Sequence, residues 1–115
     1  MSGFTYDRPF RYLEKSINNE CDSIITNTKH LDGQKYIDSA DSLILSIDNG
    51  IDRFKYMYRI QPNTNDYMQI EGARDKLKEN HLNKLQNQLR RVQNSILNYQ
   101  DADDYISLCI LKVLI

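Results

Sequence analysis

The sequence has few of the residues that interrupt helices and few of those that crosslink a chain. Its 115 residues include four glycines, two prolines, two cysteines and no tryptophan. Few glycines and prolines leave little material for turns, which favours long helices. Two cysteines cannot form the disulfide framework of a small secreted domain, so Cys21 and Cys109 are interpreted as buried, reduced thiols.

A large excess of charge of either sign is also lacking. Fifteen Lys and Arg residues stand against sixteen Asp and Glu residues, which gives a net charge of −1. This balance provides no general attraction to nucleic acid or to an anionic membrane. Residues 1–7 are polar and lack the apolar run of a secretory signal, so they are interpreted as a flexible arm and we expect an intracellular, cytoplasmic protein.

Signatures of catalysis or cofactor binding are absent from the sequence as well. The two histidines, His30 and His81, have no partner at a metal-ligand spacing, and the glycines are too isolated for a phosphate-binding loop. His81 is expected at the edge of a helical core. We therefore expect a protein that is not an enzyme and has no cofactor and no metal ion.

Two apolar stripes with alternating spacings of three and four residues are the main feature that the sequence does contain. This period places each stripe on one face of a long α-helix and requires another helix to cover it, as in a coiled coil. The first stripe is Ile37, Ala40, Ile44, Ile47, Ile51, Phe54 and Tyr58, and the second is Leu82, Leu85, Leu89, Val92, Ile96 and Tyr99. Tyr36, Leu43 and Met57 widen the first stripe, which predicts contact with two neighbouring helices.

The predicted fold is all-α, a single domain in which three long helices form an antiparallel bundle with a short C-terminal helix. Asp7 is expected to cap the first helix, Gly33 to end it in a left-handed conformation, and Asn65 or Asp66 to cap the third. Gly50 is expected to mark a kink or a close helix crossing. The predicted helices span about 8–30, 34–60, 66–100 and 105–114.

The charges predict how the second and third helices pair. If the chain folds back about Asn63, acidic residues of one helix come opposite basic residues of the other. Exposed ion pairs are worth about 0–1 kcal/mol each, so they select the register while apolar packing supplies the stability. The expected pairs are Asp48 with Lys78, Asp52 with Arg74, Asp38 with Arg90, and Arg59 with Asp66 or Glu71.

Two regions are candidates for contact with a protein partner. Tyr56 and Tyr58 point in different directions at the end of the second helix, so at least one of them is expected to be exposed, and exposed tyrosine is common at interfaces. The apolar segment 105–115 has three interpretations: a helix that closes the bundle, a surface for a partner or for self-association, or an interfacial membrane anchor too short to span a bilayer. The residues of this segment expected to contact a partner are Tyr105, Ile106, Ile110 and Leu114.

The leading functional hypothesis is a helical protein-interaction module, an adaptor or a subunit of an assembly. Three consecutive helices of this kind resemble, in outline and without a defining motif, the N-terminal bundles of membrane-fusion SNAREs and subunits of tethering complexes, which implies a role in membrane trafficking. A nucleic-acid-binding protein and a membrane-associated protein are the alternatives. In the first alternative, the residues that contact phosphate are Arg74, Lys78, Arg90 and Arg91.

Overall fold

The computed structural model describes residues 4–29 and 32–97, with the side chains as far as Asn94. It confirms an all-helical chain: the described residues contain three α-helices and no strand, and each helix packs against the other two. The predicted short helix over 105–114 lies outside the described residues. The helices are α1 (Asp7–Asn27), α2 (Gly33–Met57) and α3 (Asn65–Leu97).

The beginning of the described chain packs against α1 and α2, which corrects the prediction of a flexible arm for residues 4–7. The ring of Phe4 lies 5.6 Å from that of Phe10, and the ring of Tyr6 lies 5.2 Å from that of Tyr58, between ring centroids. Asp7 is the first residue of α1 rather than its cap, and Tyr6 at the capping position makes no side-chain hydrogen bond to the helix. Aromatic packing therefore fixes this end of α1 in place of a polar cap.

The connection from α1 to α2 differs from the prediction at Gly33. This glycine is the first residue of α2 and does not end α1, because the side chain of Asp32 accepts a hydrogen bond from the backbone N–H of Gln34 and caps α2. α1 ends instead at Asn27, followed by a buried Thr28 whose hydroxyl donates to the carbonyl of Ile24.

The end of α2 is closed by a Schellman motif with an arginine in the position that glycine usually takes. The backbone N–H of Ile60 donates to the carbonyl of Lys55, and that of Arg59 donates to the carbonyl of Tyr56. Arg59 accordingly has a φ of 50°. The motif explains why α2 ends at Met57, three residues before the predicted boundary.

The start of α3 is capped by Thr64, and neither Asn65 nor Asp66 has this role. The hydroxyl of Thr64 accepts a hydrogen bond from the backbone N–H of Tyr67 and donates one to the carbonyl of Gln61. One side chain thus satisfies an unpaired donor of the helix and also fixes the turn that precedes it.

The core runs along all three helices and confirms the centre of the first predicted stripe. Ile47, Ile51 and Phe54 are buried, but Ile37 is 45% exposed and Tyr58 is exposed at the other end. α2 packs against both α1 and α3, so its buried face is centred between two neighbours and takes in the residues that widen the stripe. The buried apolar residues are Phe10, Ile17, Cys21, Ile25, Tyr36, Leu43, Ile47, Ile51, Phe54, Ile70, Leu77, Leu85 and Leu89.

Gly50 marks a close crossing of α1 and α2, as predicted. A Cβ atom at this position would lie 2.9 Å from Cδ1 of Ile17, a distance that real Cβ contacts do not reach. The absence of a side chain therefore lets the two helices approach each other here.

Candidate interaction surfaces of α2 and α3

A network of ion pairs joins the second half of α2 to the first half of α3. Nη1 of Arg74 lies 2.5 Å from Oδ1 of Asp48, and Nη2 lies 2.5 Å from Oδ1 of Asp52 and 3.1 Å from Oε2 of Glu71. Nζ of Lys55 lies 2.7 Å from the same atom of Glu71. The guanidinium group therefore binds three carboxylates while its side chain is only 13% exposed.

Two of the predicted pairs are confirmed by this network and its neighbours. Arg74 binds Asp52, and Nζ of Lys78 lies 2.9 Å from Oδ1 of Asp48. The step of four residues from Asp48 to Asp52 in α2 is matched by a step of four in the opposite direction, from Lys78 to Arg74, in α3. These opposite steps are expected if the chain folds back on itself about Asn63.

The other two predicted pairs are absent from the described residues. Asp38 accepts a hydrogen bond from the side-chain amide of Gln34 in its own helix, and Arg90 is exposed and has no ion pair within residues 4–29 and 32–97. Arg59 lies beyond the end of α2 and has no ion pair within the described residues, and the carboxylate of Glu71 binds Lys55 and Arg74 instead. Pairing by charge thus holds in the half of the α2–α3 contact that contains Asp48, Asp52, Arg74 and Lys78, and not at Asp38, Arg59 or Arg90.

The pKa values of the groups in the network are shifted in the direction that favours their charged forms. The hydrogen bond from Arg74 holds the pKa of Asp52 below its ordinary value. Burial alone would raise the pKa of Glu71, but the hydrogen bonds from Lys55 and Arg74 outweigh this effect and lower it. Burial would likewise lower the pKa of Arg74, and its three carboxylates raise it instead. Every charge here therefore has a partner inside the protein.

The four residues considered for phosphate contact fall into two groups. Arg74 and Lys78 bind carboxylates of α2, whereas Arg90 and Arg91 are exposed on the second half of α3. The structure does not bring the four together as one basic surface. Contact of these residues with phosphate stays a prediction.

An apolar groove continues the same contact of α2 and α3 beyond the ion pairs. The groove is open to solvent, encloses about 230 Å³, and leaves Ile37 exposed at its rim. Its residues occupy one side of each helix at intervals of three or four, the pattern that accepts another helix. The groove is lined by Tyr36, Ile37, Ala40, Leu82, Leu85, Gln86 and Leu89.

A second surface, here called the turn surface, lies where α2 ends. Tyr56 is 86% exposed and Met57 is also exposed, whereas the ring of Tyr58 packs at 4.5 Å from that of Phe54, between centroids. The two tyrosines predicted to contact a partner thus differ, because only Tyr56 projects fully into solvent. The turn surface surrounds an open depression of about 510 Å³ that is lined by Lys55, Tyr56, Met57, Arg59, Ile60 and Gln61.

His81 lies in the core at 1% exposure, which corrects its predicted position at the core edge. Its Nε2 lies 2.8 Å from Oδ1 of Asn18, while Nδ1 has no hydrogen-bond partner among the described residues and lies 3.8 Å from Oδ1 of Asp22. Burial first, and then the charge of Lys84, lower the pKa of His81, against the opposite effect of Asp22. The apolar pattern missed this residue because histidine was not counted, although it sits four residues from both Leu77 and Leu85.

Cys21 is a free, fully buried thiol, as predicted. Burial, followed by the charges of Glu20 and Asp22, raises the pKa of this thiol to about 11. Because such a thiol stays protonated near neutral pH, it is a poor nucleophile. Cys109 lies outside the described residues.

Several other predicted features lie partly or wholly outside the described part of the chain. Tyr105, Ile106, Ile110 and Leu114 are among them, and their contact with a partner stays a prediction. Within residues 4–29 and 32–97, no group of three or more His, Cys, Asp or Glu side chains is placed to hold a metal ion. No helix in these ranges is long and apolar enough to cross a membrane.

Comparison with known proteins places this chain in no family. No protein-family model, no curated protein and no solved structure gives a significant match. The functional argument therefore depends on the surfaces described above.

Proposed function

We propose that this chain is a non-enzymatic protein-interaction module, an adaptor or an assembly subunit, built as an antiparallel bundle of three helices with coiled-coil-like packing. The opposite steps of the ion pairs along α2 and α3 support the antiparallel arrangement. The turn surface is the part of the bundle that contacts the partner.

The observation that carries this proposal is the set of side chains around the depression of the turn surface. Tyr56, Met57 and Arg59 are exposed together, and aromatic residues, methionine and arginine are the residue types enriched at protein interfaces. Tyrosine and arginine are also enriched among the few residues that dominate the binding energy of an interface. The matching partner is a protein that places an apolar side chain in the depression and a carboxylate on Arg59.

The backbone at Arg59 supports the same conclusion. A side chain held at a φ of 50° costs about 1 kcal/mol relative to glycine, and such strain clusters at functional sites. Glycine would close α2 without this cost, but it would also remove the cation from the turn surface.

The cellular setting of the proposed function is inferred from Cys21 and from the fold. The buried, reduced thiol of Cys21 is compatible with a location inside the cell, where thiols stay reduced. A role in membrane trafficking or tethering rests on fold analogy alone. Nucleic-acid binding is not proposed, because Arg74 and Lys78 are already neutralised by carboxylates.

The test is site-specific photo-crosslinking in the cells that produce the protein. A photoreactive amino acid replaces Tyr56 in one variant and the exposed Asn83, far along α3, in the control. We expect a discrete protein adduct from position 56 alone, and its loss when Arg59→Glu is added. The melting temperature should be unchanged by either photoreactive substitution.

Two results would contradict the proposal. The same adducts from positions 56 and 83 would mean that the crosslinks are not specific for the turn surface. An adduct that survives both Arg59→Glu and Met57→Glu would show that the depression does not contribute to binding.

A further inference from the structure

The apolar groove between α2 and α3 is separate from the turn surface, and the question here is which segment or partner covers it. Ile37 at its rim is 45% exposed, and Leu82, Leu85 and Leu89 line its floor on α3. An apolar surface with this helical spacing favours an apolar helix as its occupant. The groove extends about 10 Å from Leu82 to Leu89, at 1.5 Å per residue.

The sequence beyond α3 contains a segment with matching chemistry. Residues 105–115 are the most apolar stretch of the chain, and Lys112 is their one charged residue. Ile106, Ile110 and Leu114 recur every four residues, as one face of a helix requires. Eleven residues in helical form extend about 16 Å, enough to cover the groove along its whole length.

The chain between α3 and this segment is long enough to bring the two together. Leu85, in the middle of the groove, lies about 18 Å along the helix from Leu97, the last residue of α3. The seven residues 98–104 span up to about 24 Å when extended. The segment can therefore reach the groove of its own chain without any change in α3.

Charge favours the same return path. The connecting residues include Asp101, Asp103 and Asp104. Arg90 and Arg91, which follow the last groove residue Leu89 along α3, are exposed and form no ion pair with the described residues. A connection that turns back along α3 would bring these opposite charges together as exposed ion pairs.

We propose that segment 105–115 binds as a fourth helix in the groove between α2 and α3 of its own chain, with Ile106, Ile110 and Leu114 facing Ile37, Leu85 and Leu89. The proposal does not depend on the function of the turn surface. It assigns the segment to the interior of the molecule, not to a partner or a membrane.

A single tryptophan provides the probe, because the natural sequence has none. Ile37→Trp places it at the rim of the groove, and Leu45→Trp places it on an exposed part of α2 outside the groove. Each is combined in the full chain with Ile110→Asp on the proposed contact face, or with Lys112→Asp on the opposite face. Fluorescence emission, quenching by acrylamide and solution mass by light scattering are measured for every protein.

In a monomer, we expect the Ile37→Trp protein to emit at short wavelength and to be poorly quenched. Ile110→Asp should shift this emission to longer wavelength and restore quenching, and Lys112→Asp should leave both unchanged. The Leu45→Trp protein should respond to neither substitution, which shows that the change is confined to the groove.

Three results would overturn the proposal. Emission that is insensitive to Ile110→Asp in a monomer would show that the segment does not cover the groove. A dimer that loses its short-wavelength emission on dilution would assign the groove to a second copy of the chain. A shift that requires vesicles of phosphatidylcholine and phosphatidylserine would assign the segment to a membrane.

Discussion

The contact between α2 and α3 has a charged half and an apolar half, and the two halves contribute differently to the structure. In the charged half, near the turn, Arg74 joins Asp48, Asp52 and Glu71 through directional hydrogen bonds. In the apolar half, residues such as Ile37 and Leu89 line an open groove. Ion pairs are directional and select a register, whereas hydrophobic burial is not directional and requires only that the surface be covered.

Where charged residues of α2 face oppositely charged residues of α3, the two helices complete the contact between themselves. Where apolar residues remain open to solvent, a further element is needed to cover them. The two halves follow one register, but only in the charged half do the side chains of α2 and α3 pair directly with each other through ion pairs. The predictions below separate the contributions of the shared core, the ion pairs, the close crossing and the junction between the halves.

The largest effect is expected in the core that both halves share. Ile47 is fully buried, so Ile47→Asp places an unpaired charge among apolar side chains and should remove most of the stability, on the order of 5 kcal/mol or more. Leu45→Asp is the matched control, because Leu45 is 61% exposed on the same helix and should change the stability by less than about 0.5 kcal/mol. Urea unfolding followed by circular dichroism measures both. Equal stability of the two variants would mean that the buried face of α2 is misassigned.

The next effect concerns the charged half alone. Arg74→Gln removes the cation that three carboxylates share and leaves Asp48, Asp52 and Glu71 with only Lys55 and Lys78 as cationic partners, which should cost about 2 kcal/mol. The exposed Arg90→Gln should cost almost nothing. The same unfolding experiment at low and high salt measures the difference. If Arg74→Gln is no more costly than Arg90→Gln, the network does not stabilise the bundle.

A smaller effect is expected from the glycines. Gly72 faces open space, so Gly72→Ala should stabilise α3 by about 0.5–1 kcal/mol through helix propensity. Gly50→Ala gains the same propensity, but its new methyl group must displace the buried side chain of Ile17. We expect the Gly50 variant to be less stable than the Gly72 variant by about 1 kcal/mol, as measured by thermal melting. The opposite order would exclude a tight crossing of α1 and α2.

The smallest effect is a pH dependence at His81, which lies on α3 between the charged half and the apolar half. Its pKa in the folded state is below the ordinary value of 6.5 because of burial and, secondarily, the charge of Lys84. The unfolded chain therefore binds the proton more readily, so stability is complete above pH 6.5 and falls as the pH drops below it. The carboxylates with lowered pKa lose their contribution only in more acidic solution.

His81→Gln separates these contributions, because glutamine does not titrate and can still donate a hydrogen bond to Oδ1 of Asn18. Its free energy of unfolding should vary less between neutral pH and about pH 5 than that of the natural protein. A slope that is identical in the two proteins would place the titrating group elsewhere.

Local patterns in the sequence predicted much of this fold. The spacing of Ile47, Ile51 and Phe54 predicted a helix and its buried side, and the charges of Asp48 and Asp52 predicted their partners on α3 correctly. Both signals are local, because helical periodicity and opposite charge can be read without knowledge of the third helix. For the turn surface, the sequence predicted an exposed tyrosine but could not choose between Tyr56 and Tyr58.

The sequence by itself determined that the chain is helical, roughly where each helix lies, and that Asp48 and Asp52 of α2 pair with Lys78 and Arg74 of α3. The tertiary structure alone decided that Ile37 is exposed and Tyr36 buried, that His81 belongs to the core, and that Arg59 closes α2. A helix with a wide apolar face can be buried in several rotational positions. Only the positions of the neighbouring helices select one of them. The groove between α2 and α3 arises in the same way, because it forms only when two helices are placed side by side.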